Sequence, residues 1–407
     1  MSAPIRAGAS LPTPAFSEIR RVMELDHQKW ETQIGDESTL ADFPLIIDAS
    51  TWRALAEDAE ALARETVAME TELLTRPDLH ERLALAKPLS ALLGPGSLPP
   101  TPAAARVMRF DFHWTTEGWR VSEVNSDVPG GYAEAETFTS LVAAHFPGTK
   151  PAGEPARMLT EAIAEAAGSG AVALLAAPGH MEDHQVIAHL ALRLRRLGID
   201  AHPCSLHQIR YSDGSAALDA GAFSGPVSVV VRFYQAEWLA ELPARAGWTP
   251  MFAGGRTPVV NPAVAALSES KRLPLVWDAL RAPSSTWRRL LPESRDPRDA
   301  PWREGDDWAL KLAYCNTGDS VAVRPAMKKA AWSRAAWRAR LWPGRWVAQR
   351  RFRPVPVESP RGVVYPCIGV YTVNGRAAGI YGRLSRGLVI SGAAMDAAVL
   401  VTEGGSL

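Results

Sequence analysis

The chain has few of the residues that announce a chemistry on their own. Only three cysteines, Cys204, Cys315 and Cys367, occur in 407 residues, far apart and without a CxxC pair. That argues against a disulfide framework or a structural zinc site and for a reducing compartment. No apolar run approaches 18 residues, and residues 171–178 make at most a buried strand, so no membrane association is expected. The opening Met-Ser-Ala-Pro-Ile-Arg lacks the apolar segment of a secretory signal, and a cytoplasmic protein is expected. Acidic and basic residues balance at 44 each, leaving no overall field for nucleic acid, although a local basic patch across 328–353 stays open. GxSxG, GxGxxG and GxxxxGK[ST] are all absent, so no nucleophile elbow, dinucleotide fingerprint or Walker A loop directs the reading.

What is present is a chain 47% apolar, enough for two or three packed domains. Apolar residues at three and four spacing predict helices over 16–33, 51–74 and 79–93, the second opened by Asp48 or Ser50. Gly94-Pro95-Gly96 through Pro99-Pro100 breaks that pattern, and a further helix is predicted over 132–145. A strand at 171–177, a helix at 183–197, a strand entry at 198–203 and a valine-rich strand at 227–233 predict an open α/β layer. Mixed helix follows over 263–291, then an exposed connection over 292–307. Strands are predicted at 308–311, 346–351, 365–373 and 376–380, the last two joined by Asn374-Gly375, the strongest hairpin signal in the chain.

The most informative stretch is Arg109-Phe110-Asp111, followed by Glu123-Val124-Asn125-Ser126-Asp127-Val128-Pro129-Gly130-Gly131. Polar groups alternate here in two runs that otherwise read as strands, around Thr116-Glu117-Gly118. A three-residue loop would set Thr115 opposite Trp119, Asp111 opposite Glu123 and Arg109 opposite Asn125. All four polar groups then share one face, with Met108, Phe110, Phe112 and Val124 on the other. Facing carboxylates repel unless a cation lies between them, which suits Mg²⁺ carrying a nucleotide's phosphates; a solvated hairpin face is the alternative.

Other constellations are weaker. Lys311 stands in an apolar strand ahead of Thr317-Gly318-Asp319-Ser320, as a phosphate-binding lysine or as an edge-strand residue. Arg383, after Gly379-Ile380-Tyr381-Gly382, is a phosphate or carboxylate clamp or a surface arginine. Gln349 is a base or ribose contact or an ordinary strand residue. His180-Met181-Glu182-Asp183-His184 sets two histidines four apart, but the glutamate falls outside the HExxH and HxxEH positions. A helix cap, or acids that receive a cationic substrate, is the other reading of that segment.

Taken together these residues resemble a known family. Arg109-x-Asp111, eleven residues, then Glu123-x-Asn125-x-Asp127-x-Pro129 is similar to the metal-binding segment of the glutathionylspermidine synthetases, circularly permuted ATP-grasp carboxylate–amine ligases. Met181-Glu182-Asp183-His184 resembles the acidic segment that contacts their amine and peptide substrates. Ser270-Lys271-Arg272-Leu273-Pro274-Leu275-Val276-Trp277 resembles their NK-x-x-LP-x-LW segment, which makes Lys271 an ATP-phosphate lysine by resemblance. Lys311 falls at their second phosphate lysine, and Gln349 with residues 377–383 resembles their C-terminal strands, which end in a nucleotide-phosphate arginine. The resemblance covers about 105–401, and the metal-binding segment precedes both lysines, as the permuted order requires. Two departures stand out: no N-terminal Cys/His amidase domain, and Gly130-Gly131 where the relatives carry Thr or Ser that help hold glutathione.

The expectation is an α/β (α+β) fold, ATP-grasp-like and circularly permuted, with an open α/β middle layer and a helical N-terminal region. Its divisions are 1–104, helical; 105–150, the metal-binding hairpin; 151–262, an α/β substrate-side domain; and 263–407, the nucleotide-binding lobes. The activity implied by the resemblance is ATP- and Mg²⁺-dependent joining of a small-molecule or peptide carboxylate to an amine through an acyl phosphate. Asp111, Glu123 and Asn125 would hold Mg²⁺, and Lys271, Lys311, Gln349 and Arg383 the nucleotide. Arg109 and Arg383 would stabilise the moving phosphoryl group, and Glu182 and Asp183 attract the amine. A nucleotide-binding protein without ligase activity and a metal hydrolase at His180 and His184 are the alternatives.

Overall fold

Residues 107–125 fold as the hairpin that the alternation predicts, and the other elements are arranged around it. The computed structural model describes residues 4–34, 37–315 and 320–402. Strands Val107–Thr115 and Gly118–Asn125 pair antiparallel, with Asp111 opposite Glu123 and Arg109 opposite Asn125. The turn itself is tighter than expected. Thr115 faces Gly118 rather than Trp119, and a bulge at Ser122, between the Phe112–Val121 and Asp111–Glu123 pairs, restores the register. Gly118 takes the positive φ of 90° at the turn.

The hairpin lies at the edge of a larger antiparallel sheet made with the C-terminal part of the chain. Val107–Thr115 pairs with Gly362–Val373, which pairs with Arg376–Ser385 and then Met395–Ala397. Asn374 and Gly375, at φ of 49° and 80°, close the second hairpin with the two positive φ values that favour this dipeptide. One face of the sheet, with Phe110, Phe112, Val124, Ile368, Val370 and Ile380, is buried in the main core. Helix Ala49–Leu73 packs on that side, its N-terminus capped by the Asp48 carboxylate, which accepts from the Thr51 N–H at 2.6 Å. The polar face is left for a cavity.

Two further sheets flank it. Five parallel strands run in the order Ala201–Cys204, Val172–Ala176, Val229–Phe233, Val259–Val260 and Ala103–Ala105. Their continuous apolar runs suit a sheet covered on both faces, and helices Pro155–Ala167 and Met181–Arg196 pack on it. The third sheet has Trp308–Leu312 between Trp346–Arg350 and Val321–Val323, with Ser294–Arg295 at its edge. That last strand falls inside the stretch expected to be an exposed connection, where Ser294 pairs with Gln349.

The N-terminal region is less helical than its spacing implies. Ile5–Ala7 and Leu45–Ile47 join Val399–Thr402 and Thr149–Pro151 in a sheet. The helix expected over 16–33 is Thr13–Asp26, because beyond it the chain turns inward and Lys29 is drawn to buried carboxylates. The 79–93 helix reduces to a 3₁₀ turn at Pro77–Leu79 and a short helix Lys87–Leu93, each with proline in its first turn. Over 132–145 a π-helical turn, Glu134–Phe138, leads into Thr139–Ala143. Among the described residues no helix is long and apolar enough to cross a membrane.

Candidate active site

The polar face of the antiparallel sheet, the Trp308–Leu312 sheet and the start of helix Met181–Arg196 enclose one cavity of about 2000 Å³. Arg109, Asp111, Glu123, Asn125, Glu182, Asp183, Lys311, Gln349 and Arg383 all line it. Strand alternation accounts for the grouping. Successive cross-strand pairs carry Glu123, Asp111, Gly369 and Tyr381 along one row of the sheet. The neighbouring row carries Asn125, Arg109 and Tyr371, and Cys367, Arg383 and Asp396 follow on the other side.

Arg109 and Asp111 form a two-pronged pair, Nε to Oδ1 at 2.8 Å and Nη2 to Oδ2 at 3.1 Å. Arg109 also donates to the Gly130 carbonyl at 3.0 Å and lies 5.0 Å from the Tyr381 ring centroid. Burial opposes the charge on Arg109, but Asp111 outweighs it and holds its pKa well above the ordinary value. Asn125 donates Nδ2 to Asp111 Oδ2 at 3.0 Å, which leaves its amide oxygen as an acceptor. Gly369 makes room for the pair: a Cβ there would stand 2.7 Å from Arg109 Cδ and 3.0 Å from Asp111 Oδ1.

Glu123 faces two lysines. Lys271 Nζ lies 3.3 Å from its Oε2 and also donates to the Cys315 carbonyl at 3.0 Å. Lys311 Nζ donates to the carbonyl of Ser122, the bulge residue, at 3.0 Å. Burial resists ionisation of Glu123, yet Lys271 and then Lys311 prevail and its pKa falls below the usual carboxylate value. Burial lowers the Lys311 pKa, and Lys271 adds to the lowering against the pull of Glu123. Lys271 does not line the cavity. Its ammonium is held between the Glu123 carboxylate and the Cys315 carbonyl.

Gln349 lies on the strand beside Lys311, opposite Ala309, and donates to Ser294 Oγ at 3.2 Å. Arg383 donates Nη2 to the Ser391 carbonyl at 2.9 Å, and among the described residues its buried Nε has no partner. A guanidinium that lines a cavity and takes no carboxylate partner among the described residues suits an anion site. Among the described residues the buried Asp183 Oδ2 and Gln235 Oε1, at another part of the wall, have no partner. Burial, then the charge of Glu182, raises Asp183 to about 7, and burial, then Asp396, raises Glu182. His180 packs its ring on Trp238, with centroids 4.5 Å apart. Among the described residues no group of three His, Cys, Asp or Glu is placed to hold a metal.

Asp111, Glu123 and the Asn125 amide oxygen are hard oxygen donors on one face of the sheet. Mg²⁺ characteristically binds one or two carboxylates together with substrate phosphates rather than an all-protein cage, and this donor set fits that habit. Several cavity residues escaped the sequence reading. His113 extends the 109–111 alternation by one step and could have been found that way; burial lowers its pKa to about 4. Lys29, Glu134 and Asp396 carry no comparable signal, since they meet only in the folded chain.

Residues 26–399 match the family model described as glutathionylspermidine synthase, pre-ATP-grasp. The chain belongs to that family. With it comes the ATP-grasp-like fold of a group of synthetases. Among solved structures, a glutathione synthetase-like effector from Globodera pallida aligns with a TM-score of 0.59 at 14% identity, over 94% of this chain and 97% of that one. A putative gamma-glutamylcysteine synthetase from Methylobacillus flagellatus aligns with a TM-score of 0.41 at 10% identity, over 79% and 83% of the two chains. No curated protein matches the sequence.

Gly131, at φ of 89°, packs under Tyr381, where an added Cβ would come within 2.9 Å of the ring, so a Thr or Ser side chain does not fit this position as built. The glycine loop after Lys311, Thr317-Gly318-Asp319, lies outside the described residues.

Proposed function

We propose that the protein is an ATP- and Mg²⁺-dependent ligase that joins a carboxylate to an amine through an acyl phosphate. The observation that carries this reading is the juxtaposition of Asp111, Glu123 and Asn125 on one sheet face with Lys311 and Arg383 around the same cavity. Phosphoryl transfer needs positioned charge more than covalent help from the protein, and this is an arrangement of charge. Family membership supports a ligase-type synthetase.

In this reading 105–150 and 263–407 form the nucleotide side, and 151–262, preceded by the 1–104 region, the substrate side. Lys311, with Gln349 beside it, binds the nucleotide. Arg383, which takes no carboxylate partner among the described residues, offers its guanidinium to phosphate. Arg109, fixed in orientation by Asp111 and Gly130, stabilises charge on the phosphoryl group as it moves. Glu123 is kept ionised by Lys271, so Lys271 acts through the carboxylate rather than on ATP directly. Bound Mg²⁺ would neutralise phosphate charge and be held by Asp111, Glu123 and Asn125. The substrate carboxylate oxygen attacks the γ-phosphorus and ADP leaves. The amine nitrogen then attacks the acyl carbon, phosphate leaves, and the nitrogen gives up a proton. Glu182 and Asp183 draw the amine to their part of the wall. The Gly130-Gly131 departure means that glutathione is not assumed as the carboxylate.

Calorimetric titration of ATP with and without Mg²⁺, on the parent and Glu123→Gln, tests this. Mg²⁺-dependent binding that the variant loses, at unchanged melting temperature, supports it, together with ADP release that requires both a carboxylate and an amine. Binding without turnover for any such pair would leave a nucleotide-binding protein. Absence of binding would remove the nucleotide site altogether.

A further inference from the structure

We propose that Lys29 is a positioning residue that keeps Arg383 available to an anionic substrate group by neutralising Asp396 in its place. This rests on the assignment of Arg383 to the nucleotide phosphates.

Arg383 and Asp396 are direct cross-strand partners. Such neighbours have Cβ atoms about 4.5–5.5 Å apart, and opposite charges there normally pair. They do not pair here. Among the described residues Arg383, which lines the cavity, bonds only to the Ser391 carbonyl and takes no carboxylate partner. Both oxygens of Asp396 are already engaged, Oδ2 by Lys29 Nζ at 2.8 Å and Oδ1 by the Tyr381 hydroxyl at 2.5 Å. Lys29 is held in turn by Glu134, 2.6 Å from Nζ, whose same oxygen accepts from Gln185 at 2.8 Å.

Burial makes the choice of partner consequential. Lys29, Glu134 and Asp396 are each less than 10% exposed, and a buried carboxylate without a cation is strongly disfavoured. Two cations stand within reach of Asp396, and the lysine takes it. The next cation, Arg109, is already committed to Asp111. Glu182 and Glu31 face the same wall, so loss of Lys29 would leave an excess of acid that Arg383 is best placed to answer. The backbone fixes this arrangement. Asp396 N–H donates to the Thr39 carbonyl at 2.7 Å and its carbonyl accepts from Ala41 N–H at 2.8 Å, while Thr39 Oγ1 bonds to the Glu31 carbonyl at 2.7 Å. The stretch that delivers the lysine therefore also holds the acid.

The test compares ATP binding, by calorimetry in Mg²⁺, for the parent and four variants. Lys29→Met/Glu134→Gln leaves Asp396 with Arg383 as its nearest uncommitted cation and should weaken ATP binding about tenfold or more, the size of one charge-assisted hydrogen bond. Adding Asp396→Asn to that pair frees Arg383 and should return the affinity to within about threefold of the parent, which a merely structural role for Lys29 would not produce. Lys29→Arg, which keeps the charge, should bind like the parent. Equal binding by the parent and Lys29→Met/Glu134→Gln, or no recovery with Asp396→Asn, overturns the proposal. Arg383→Ala separates the two levels: if it binds ATP as tightly as the parent, the phosphate assignment of Arg383 itself falls.

Discussion

Gly369→Ala puts a methyl group directly against the Arg109–Asp111 pair. The added carbon would lie 2.7 Å from Arg109 Cδ, 2.9 Å from Nε and 3.0 Å from Asp111 Oδ1. Carbon atoms pack best at about 3.5–4.0 Å, so the arginine stem must retreat by about 1 Å. It has little freedom to do so. Its head is tied to Asp111 at two points and to the Gly130 carbonyl, and Tyr381 lies under the guanidinium. Overpacking a site of this kind costs about 1–3 kcal/mol, and the displaced guanidinium should lose the role in phosphoryl transfer proposed for it. The assay is chemical denaturation of Gly369→Ala in two backgrounds, the parent and Arg109→Ala. The two closest contacts are with the arginine, so most of the cost, about 1–3 kcal/mol, should be relieved in the Arg109→Ala background. An equal cost in both backgrounds would refute the reasoning, because the methyl group would then be opposed by something other than Arg109.

Two further outcomes follow from buried titratable groups. His189 is buried with both ring nitrogens unpartnered, and burial lowers its pKa to about 3 from 6.5. The unfolded chain therefore binds its proton first, and the stability present above pH 6.5 is lost as pH falls towards 3, on the order of 5 kcal/mol. His189→Leu should flatten that part of the stability curve measured by denaturant titration, and an unchanged slope would place the acid sensitivity elsewhere. Asp183, raised to about 7 by burial and then by Glu182, becomes an anion only as pH rises through neutrality. Affinity for a cationic amine should therefore increase between pH 6 and 8 in the parent and stay level over that window in Asp183→Asn, read from the amine KM of ADP release. A parallel rise in both proteins would exclude Asp183 as the cause.

The hairpin was legible because strand alternation is local: knowing that 107–125 doubles back is enough to put Arg109, Asp111, Glu123 and Asn125 on one face. The expected turn had one residue too many, and the bulge at Ser122 cancels the error before the register reaches the acids. Asn374-Gly375 was legible for a similar reason, since positive φ at two successive residues restricts the sequence at that point. Helix ends were read less well. The 16–33 pattern continues past Asp26 in sequence, but Lys29 gains more from two buried carboxylates than from another helical turn.

What the sequence by itself determined is therefore what short-range geometry and motif order determine: the acid hairpin, the Asn-Gly hairpin, the parallel α/β layer and the family. Tertiary structure alone decided how the charges are shared. Lys271 pairs with Glu123, and Lys29 meets Asp396 across 367 positions of sequence. The reason is physical. A side chain's face is set by its neighbours along the strand, whereas its partner is set by which opposite charge is buried with it, and burial belongs to the whole fold.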